Sequence, residues 1–174
     1  MKINMLPPLH QSIFKSPVGD LKLQASVAGL THLQVIDKDS SAANYSFSSE
    51  IKAATGADIS QAKQWIEQAI HELEEYFSGQ RVHFDVPLAA KGTEFQQQVW
   101  QALVDLPFGK VCSYGDIANK IERPRAVRAV GAANGANPIA IIVPCHRVIG
   151  KNGTLTGYAY GLEMKQFLLN LESR

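Results

Sequence analysis

The hydrophobic pattern changes period at Leu88-Ala89-Ala90-Lys91-Gly92, and that change sets the 174-residue chain two separate packing problems. Before it, Leu21, Leu23 and Ala25 alternate with polar residues after the turn Ser16-Pro17-Val18-Gly19-Asp20, as in a half-buried strand. Ala28-Gly29 reads as a hairpin turn into a second strand, Leu30 to Ile36. Residues 37–58 are rich in Ser, Ala, Asn and Asp without a period and read as a loop. Ser60 is placed to cap a helix in which Ala62, Trp65, Ile66, Ala69, Leu73 and Phe77 recur at helical spacing until Gly79. Val82, Phe84 and Val86 then alternate as a strand ended by Pro87. Nothing in this half carries reactive chemistry, and its aromatic residues read as core.

After the break the period is helical. Thr93 and Gln96 have capping-box spacing, followed by an apolar face of Phe95, Val99 and Leu103. Pro107-Phe108-Gly109-Lys110 is a turn. Ser113 and Asp116 repeat the capping-box spacing and open a short helix through Ile117, Ala118 and Lys120. Pro124 suits the first position of a further helix, Arg125 to Asn134. Two short helices joined by a few residues make a helix-turn-helix candidate. The fold class expected is α+β. Residues 1–90 form a small antiparallel sheet-plus-helix domain, and residues 91–174 a mainly helical, winged-helix-like domain.

Composition narrows the partners. The 17 basic and 16 acidic side chains nearly cancel, which excludes polybasic and acidic tails, but they are unevenly placed. Residues 1–90 carry 7 basic and 10 acidic groups; residues 110–151 carry 7 basic groups against only Asp116 and Glu122. A local positive block is the electrostatic footprint of a nucleic-acid partner. The predicted second helix adds Ala126, Ala129, Gly131, Ala132, Ala133 and Gly135, with Arg125 and Arg128 protruding. Small side chains suit close approach to a narrow groove; the competing reading is a tightly packed core helix. No apolar run approaches the ~20 residues of a membrane span. The first ten residues lack the apolar stretch of a secretory signal. Two cysteines without such a signal imply free thiols and a cytoplasmic location.

The richest stretch chemically is Pro138-Ile-Ala-Ile-Ile-Val-Pro144-Cys145-His146-Arg147-Val148. A thiolate is the nucleophilic form of cysteine, and a neighbouring imidazole and guanidinium would raise its fraction. If the run is a strand, Cys145 and His146 point to opposite faces and communicate through a water or a bend at Pro144. The competing reading makes Cys145 a buried small hydrophobe. With two cysteines and no Cys-x-x-Cys, a zinc site is not expected, nor is a Cys112–Cys145 disulfide. Cys112 reads as structural, and His10, His32, His71 and His83 receive no role.

Pro144-Cys145-His146-Arg147-Val148, preceded by Gly135-Ala136-Asn137-Pro138, resembles the active-site signature of the O6-alkylguanine-DNA alkyltransferases. The likeness runs from Phe95 to Glu172 and takes in Phe108 to Tyr114, Arg128-Ala-Val-Gly131, Gly157-Tyr158, Gly161-Leu162 and a terminal helix, Lys165 to Glu172. The resemblance implies single-turnover DNA repair in which a monomer transfers an alkyl group from O6-alkylguanine in double-stranded DNA to Cys145. O4-alkylthymine is a candidate second lesion. It implies no metal, no organic cofactor and no membrane. His146, held by Glu172, would take the thiol proton, and Asn137 would link the recognition helix to the active-site turn. Tyr114 would assist protonation of the leaving base. Arg128 would fill the gap left by the flipped nucleotide. Gly115, Arg123, Arg125, Ala126, Ala129 and Lys151 would line the DNA together with Tyr114. Tyr158, Ala159 and Tyr160 would form the substrate pocket, with the Cys145 and Val148 carbonyls reading the guanine amino group.

Two departures from the family pattern stand out. Tyr158-Ala159-Tyr160-Gly161 replaces a Tyr-Ser-Gly-Gly or Tyr-Ala-Gly-Gly run, putting a ring at the lip of the pocket. No cysteine precedes position 112, so the N-terminal zinc site of some relatives has no ligands here. The competing functions are a non-catalytic lesion sensor or helix-turn-helix regulator, which needs no reactive Cys, and a cysteine hydrolase, which needs an oxyanion hole.

Overall fold

Strand alternation puts Leu21, Leu23 and Ala25 on one face, and all three are fully buried. In the computed structural model, which describes residues 6–36, 55–155 and 157–174, they belong to β2 (Gly19–Ser26). This strand is the centre of an antiparallel three-stranded sheet of order β1-β2-β3, with β1 at His10–Ser16 and β3 at Gly29–Ile36. Strand β1 was not legible in the sequence. Its residues are almost uniformly half-buried, so it has no alternation, and it is a strand because β2 offers it a ladder from His10↔Ala25 to Ser16↔Gly19.

Helix α1 (Gly56–Phe77) packs on this sheet through Ala62, Ile66, Ala69, Leu73 and Tyr76. It starts earlier than the Ser60 cap predicted. Thr55 accepts from the Asp58 amide and Asp58 reaches back to the Thr55 N–H, closing a capping box at 55–58. Residues 55–58, read as part of a loop over 37–58, are therefore the start of α1, and residues 37–54 lie outside the described residues. Gly79 stops the helix as expected. At φ 82° it supplies the left-handed residue that lets the Gly79 and Gln80 amides bond back to Tyr76 and Glu75.

The strand read over Val82, Phe84 and Val86 does not form; only Leu88 makes a bridge, to Leu30. The backbone amides of Asp85 and Val86 instead donate to the buried Glu72 carboxylate at 2.9 and 3.1 Å, which removes them from any ladder. Val82 is left 57% exposed, so its apolar character reports no core position.

The chain divides into compact units at Met1–Lys91 and Gly92–Arg174. The second unit contains α2 (Glu94–Val104), α3 (Tyr114–Lys120), α4 (Val127–Gly135) and α5 (Leu162–Glu172). Both predicted capping boxes form, Thr93 with Gln96 and Ser113 with Asp116. Helix α4 opens at Val127, so Pro124 lies in the preceding turn rather than at the first helical position. That turn is set by the end of α3: Glu122 sits at φ 62° while the Glu122 and Arg123 amides bond to Asn119 and Ala118. A Glu thus occupies the left-handed position that usually takes Gly. The Trp100 indole donates to the Ala133 carbonyl at 2.9 Å and locks α2 to α4. A two-residue parallel ladder pairs β4 (Cys112–Ser113) with β5 (Val148–Ile149), setting the start of α3 beside the cysteine-bearing turn.

Candidate active site

The apolar run before Cys145 does not extend as a strand; it folds into consecutive tight turns. The Ile142 amide bonds to the Ala140 carbonyl at 2.8 Å around Ile141, whose φ is 71°. A β-branched residue in this left-handed γ-turn costs ~1–3 kcal/mol and persists only where packing over-determines it. Ile139, Ile141, Ile142 and Val143 are all buried and supply that packing. The Cys145 amide then bonds to Val143 at 2.8 Å around Pro144, and a 3-10 turn carries Cys145 to Arg147. Asn137 clamps the whole loop: Nδ2 donates to the Val143 carbonyl at 2.8 Å, and Oδ1 accepts from the Ile139 amide at 3.0 Å. Sequence adjacency of Cys145 and His146 therefore resolves as a turn, not as opposite faces of a strand.

Behind the cysteine, His146 is fully buried and its Nε2 lies 2.7 Å from Glu172 Oε1. Burial pushes the Glu172 carboxyl up, but bonds from His146 and Arg147 outweigh it and hold it down at about 2. An ionised carboxylate only accepts, so Nε2 carries the proton and Nδ1 presents the lone pair. Burial lowers the His146 pKa despite the Glu172 bond, keeping the ring neutral and able to take a proton.

Arg147 does not serve the thiol as the sequence suggested. Its Nε and Nη2 grip Glu172 at 2.8 and 2.9 Å, its Nη1 donates to the Leu106 carbonyl at 2.9 Å, and its guanidinium lies over the Phe108 ring. The guanidinium is thus engaged with Glu172, and the neutral His146 ring can act on the thiol only as a base. Burial pushes the Cys145 thiol up, and the groups opposing it are the Asn137 side chain, the Cys145 and His146 backbone amides and Lys165. Lys165, fully buried, donates to the Val148 carbonyl at 2.6 Å. Cys112 is free, and burial and Asp116 raise its thiol to about 11.

Cys145 opens onto a cavity of about 200 Å³ that also takes in Tyr114, Asn134, Asn137, Tyr158, Ala159 and Tyr160. Tyr114 reaches it from the first residue of α3, its ring 4.0 Å from where a Gly131 side chain would begin. The Tyr158 and Tyr160 rings meet edge to face at 5.8 Å. The Val148 side chain stands apart, fully buried and outside the cavity lining, and its carbonyl accepts one bond from Lys165 and keeps a second lone pair. A larger concavity of about 630 Å³ between α2 and the end of α3 holds no nucleophile.

None of the predicted DNA-lining residues is buried. Arg123, Arg125, Arg128, Ala129 and Lys151 are exposed, and Gly115 and Ala126 are half-buried. The small residues of α4 divide: Ala133 packs inward with Val130, whereas Ala129, Ala132 and Gly135 face out. Sequence reasoning missed Asn134 and Lys165. The available signals were an amide among alanines and a lysine within the apolar stripe of Met164, Leu168 and Leu171.

This arrangement defines a cysteine-nucleophile protein built on a helix-turn-helix. Residues 94–174 match the DNA-binding domain model of 6-O-methylguanine DNA methyltransferase, and residues 9–90 match its ribonuclease-like domain. The chain belongs to the 6-O-methylguanine DNA methyltransferase family. It is 49% identical to the methylated-DNA–protein-cysteine methyltransferase of Methanosarcina mazei over 94% of this chain and 97% of that one. The corresponding Mycobacterium tuberculosis protein is 43% identical, over 94% and 92%. The crystal structure of Mycobacterium tuberculosis OGT in complex with DNA superposes with a TM-score of 0.76 at 43% identity, again covering 94% and 92%.

Proposed function

We propose that the protein repairs DNA by direct reversal, moving the alkyl group of O6-alkylguanine onto Cys145. The observation that carries this reading is a cysteine at a cavity beside a helix-turn-helix, followed by a neutral, carboxylate-held imidazole. The thiolate attacks the alkyl carbon, a C–S bond forms, and the C–O6 bond breaks with its electron pair leaving on the base. His146 takes the thiol proton through a bridging water, and Tyr114 supplies a proton to the departing guanine. The product is a thioether with no group poised to cleave it, so each molecule acts once.

The target atom is buried inside a duplex, so the nucleotide must be flipped out at a cost of a few kcal/mol. The outer face of α4 suits that task, since Ala129, Ala132 and Gly135 allow close approach to the minor groove while Arg128 fills the vacated stack. Arg123, Arg125 and Lys151 supply phosphate contacts, with Gly115 and Ala126 at the contact's edge. We assign these tasks to residues 91–174, place residues 1–90 in a supporting domain, and expect a cytoplasmic monomer. No helix among the described residues is long and apolar enough to cross a membrane.

The test is intact-protein mass spectrometry with peptide mapping after incubation with a duplex carrying one O6-methylguanine. A single methyl-for-hydrogen exchange on Cys145, saturating at one per chain and lost in Cys145→Ala, is expected. A methyl group on Cys112 would move the nucleophile. An unmodified protein that still binds the lesion would leave a sensor.

A further inference from the structure

Two buried donors share the Glu172 carboxylate, and the mechanism above uses only one of them. Oε1 lies 2.7 Å from His146 Nε2 and accepts from Arg147 Nη2 at 2.9 Å, while Oε2 accepts from Arg147 Nε at 2.8 Å. A two-point fork of this kind fixes the plane of the carboxylate as well as its place. The guanidinium is itself seated from a third segment. Nη1 donates to the Leu106 carbonyl just beyond α2, and the Phe108 ring centroid lies 5.8 Å from the guanidinium carbon. Gly109, at φ 79°, passes so close to the Glu172 carbonyl that a side chain there would begin 3.1 Å from it. The His146, Arg147 and Glu172 side chains are left 0, 7 and 1% exposed.

At that depth the charge count selects the protonation state. With the imidazole neutral, carboxylate and guanidinium cancel. Protonating the ring would add an uncompensated positive charge away from water. A His–Glu pair without the guanidinium inverts this: the neutral ring leaves a bare carboxylate, and protonation restores neutrality. Such a ring rests as imidazolium and has no lone pair for the thiol proton. Lys165, fully buried on α5, adds to the positive side. The other titratable groups at hand are Cys145 on the same turn and Tyr158, which interacts with both Cys145 and Glu172. Burial is the largest cause lowering the His146 pKa, and the Arg147 charge acts in the same direction, against Glu172.

We propose that Arg147 is a positioning residue for alkyl transfer, holding Glu172 against His146 Nε2 and cancelling the charge that would otherwise keep the imidazole protonated. The assignment rests on the alkyl-transfer reading for what the thiol attacks, and on the buried triad alone for how the thiol loses its proton.

The test uses the full chain as wild type, Arg147→Gln and Arg147→Lys. Cys145 alkylation by iodoacetamide is followed by peptide mapping across about pH 5 to 8, the range in which a histidine ordinarily titrates. Methyl transfer from a duplex carrying O6-methylguanine is followed over the same range. The acid limb belongs to the thiol and imidazole as a pair, and losing a nearby cation raises the proton affinity of both. In Arg147→Gln the limb is therefore expected to move up by about one pH unit. Arg147→Lys keeps the charge and is expected to return it to the wild-type position. The midpoint does not depend on how much variant is folded, so lost stability alone does not move it. An unmoved limb in Arg147→Gln, or equal movement in both variants, would reduce Arg147 to a structural ion pair and overturn the assignment. So would ring 15N shifts showing a wild-type His146 imidazolium at neutral pH, a measurement that needs no variant to fold. A wild type whose thiol shows the limb but takes no methyl group from the duplex overturns the alkyl-transfer reading and leaves the relay in place.

Discussion

Glu172 does two tasks with one carboxylate: it fixes the His146 tautomer and neutralises the buried Arg147. Replacing it by Gln leaves a guanidinium without a counter-charge, which costs about 3–5 kcal/mol in comparable buried pairs. Glu172→Gln is therefore expected to lower stability by that order in urea denaturation and to slow Cys145 alkylation by iodoacetamide at neutral pH. An unaltered pH profile of that alkylation would detach Glu172 from the thiol. At the cavity lip, Tyr160 packs on Tyr158 and puts bulk where the family pattern has Gly. Tyr160→Gly is expected to raise benzyl transfer relative to methyl transfer by about tenfold, the scale of one steric contact in a pocket. Equal rate changes for both groups would remove the steric role.

At the level of elements, the turn of the helix-turn-helix stores strain at an exposed position. Glu122 adopts φ 62° to close the end of α3, a conformation costing an L-residue roughly 1–2 kcal/mol. Glu122→Gly keeps the same hydrogen bonds and is expected to stabilise the protein by about 0.5–1 kcal/mol, read as a higher urea midpoint at unchanged slope. The helix that follows presents Arg128 to solvent on its small-residue face. Arg128→Ala is expected to slow repair of duplex lesions at limiting protein while leaving iodoacetamide reactivity of Cys145 unchanged. A retained duplex rate would take the gap-filling role away from this side chain.

For the molecule as a whole, the buried relay predicts how stability responds to acid. His146 has a folded pKa below its ordinary 6.5. The unfolded chain thus binds the proton first, and stability falls as pH drops through 6.5 towards the folded value. Glu172 moves from 4.5 unfolded to about 2 folded, so its contribution, on the order of 3 kcal/mol, is present above 4.5 and lost between 4.5 and 2. Thermal unfolding across pH 7.5 to 3 is expected to show these losses in sequence, and His146→Gln should remove the earlier one. The same shift places the acid limb of the transfer rate below pH 6.5, because the imidazole stays neutral there. A limb above 6.5 would contradict His146 as the proton acceptor.

Local chemistry determined what could be read without coordinates. The capping pairs Thr93–Gln96 and Ser113–Asp116, the alternation of Leu21, Leu23 and Ala25, and the stop at Gly79 depend on residues within a few positions, so each was legible in the chain. Pro144-Cys145-His146 pointed to the nucleophile and, by family likeness, to Glu172. What the sequence could not decide was set by partners far along the chain. Strand β1 exists because β2 pairs with it, and residues 82–86 are not a strand because Glu72 takes their amides. Arg147 serves Glu172 rather than the thiol, and Asn134 keeps an unpaired oxygen in the cavity wall. These outcomes depend on which buried polar group meets which partner once the chain is packed, and only the tertiary structure brings those groups into contact.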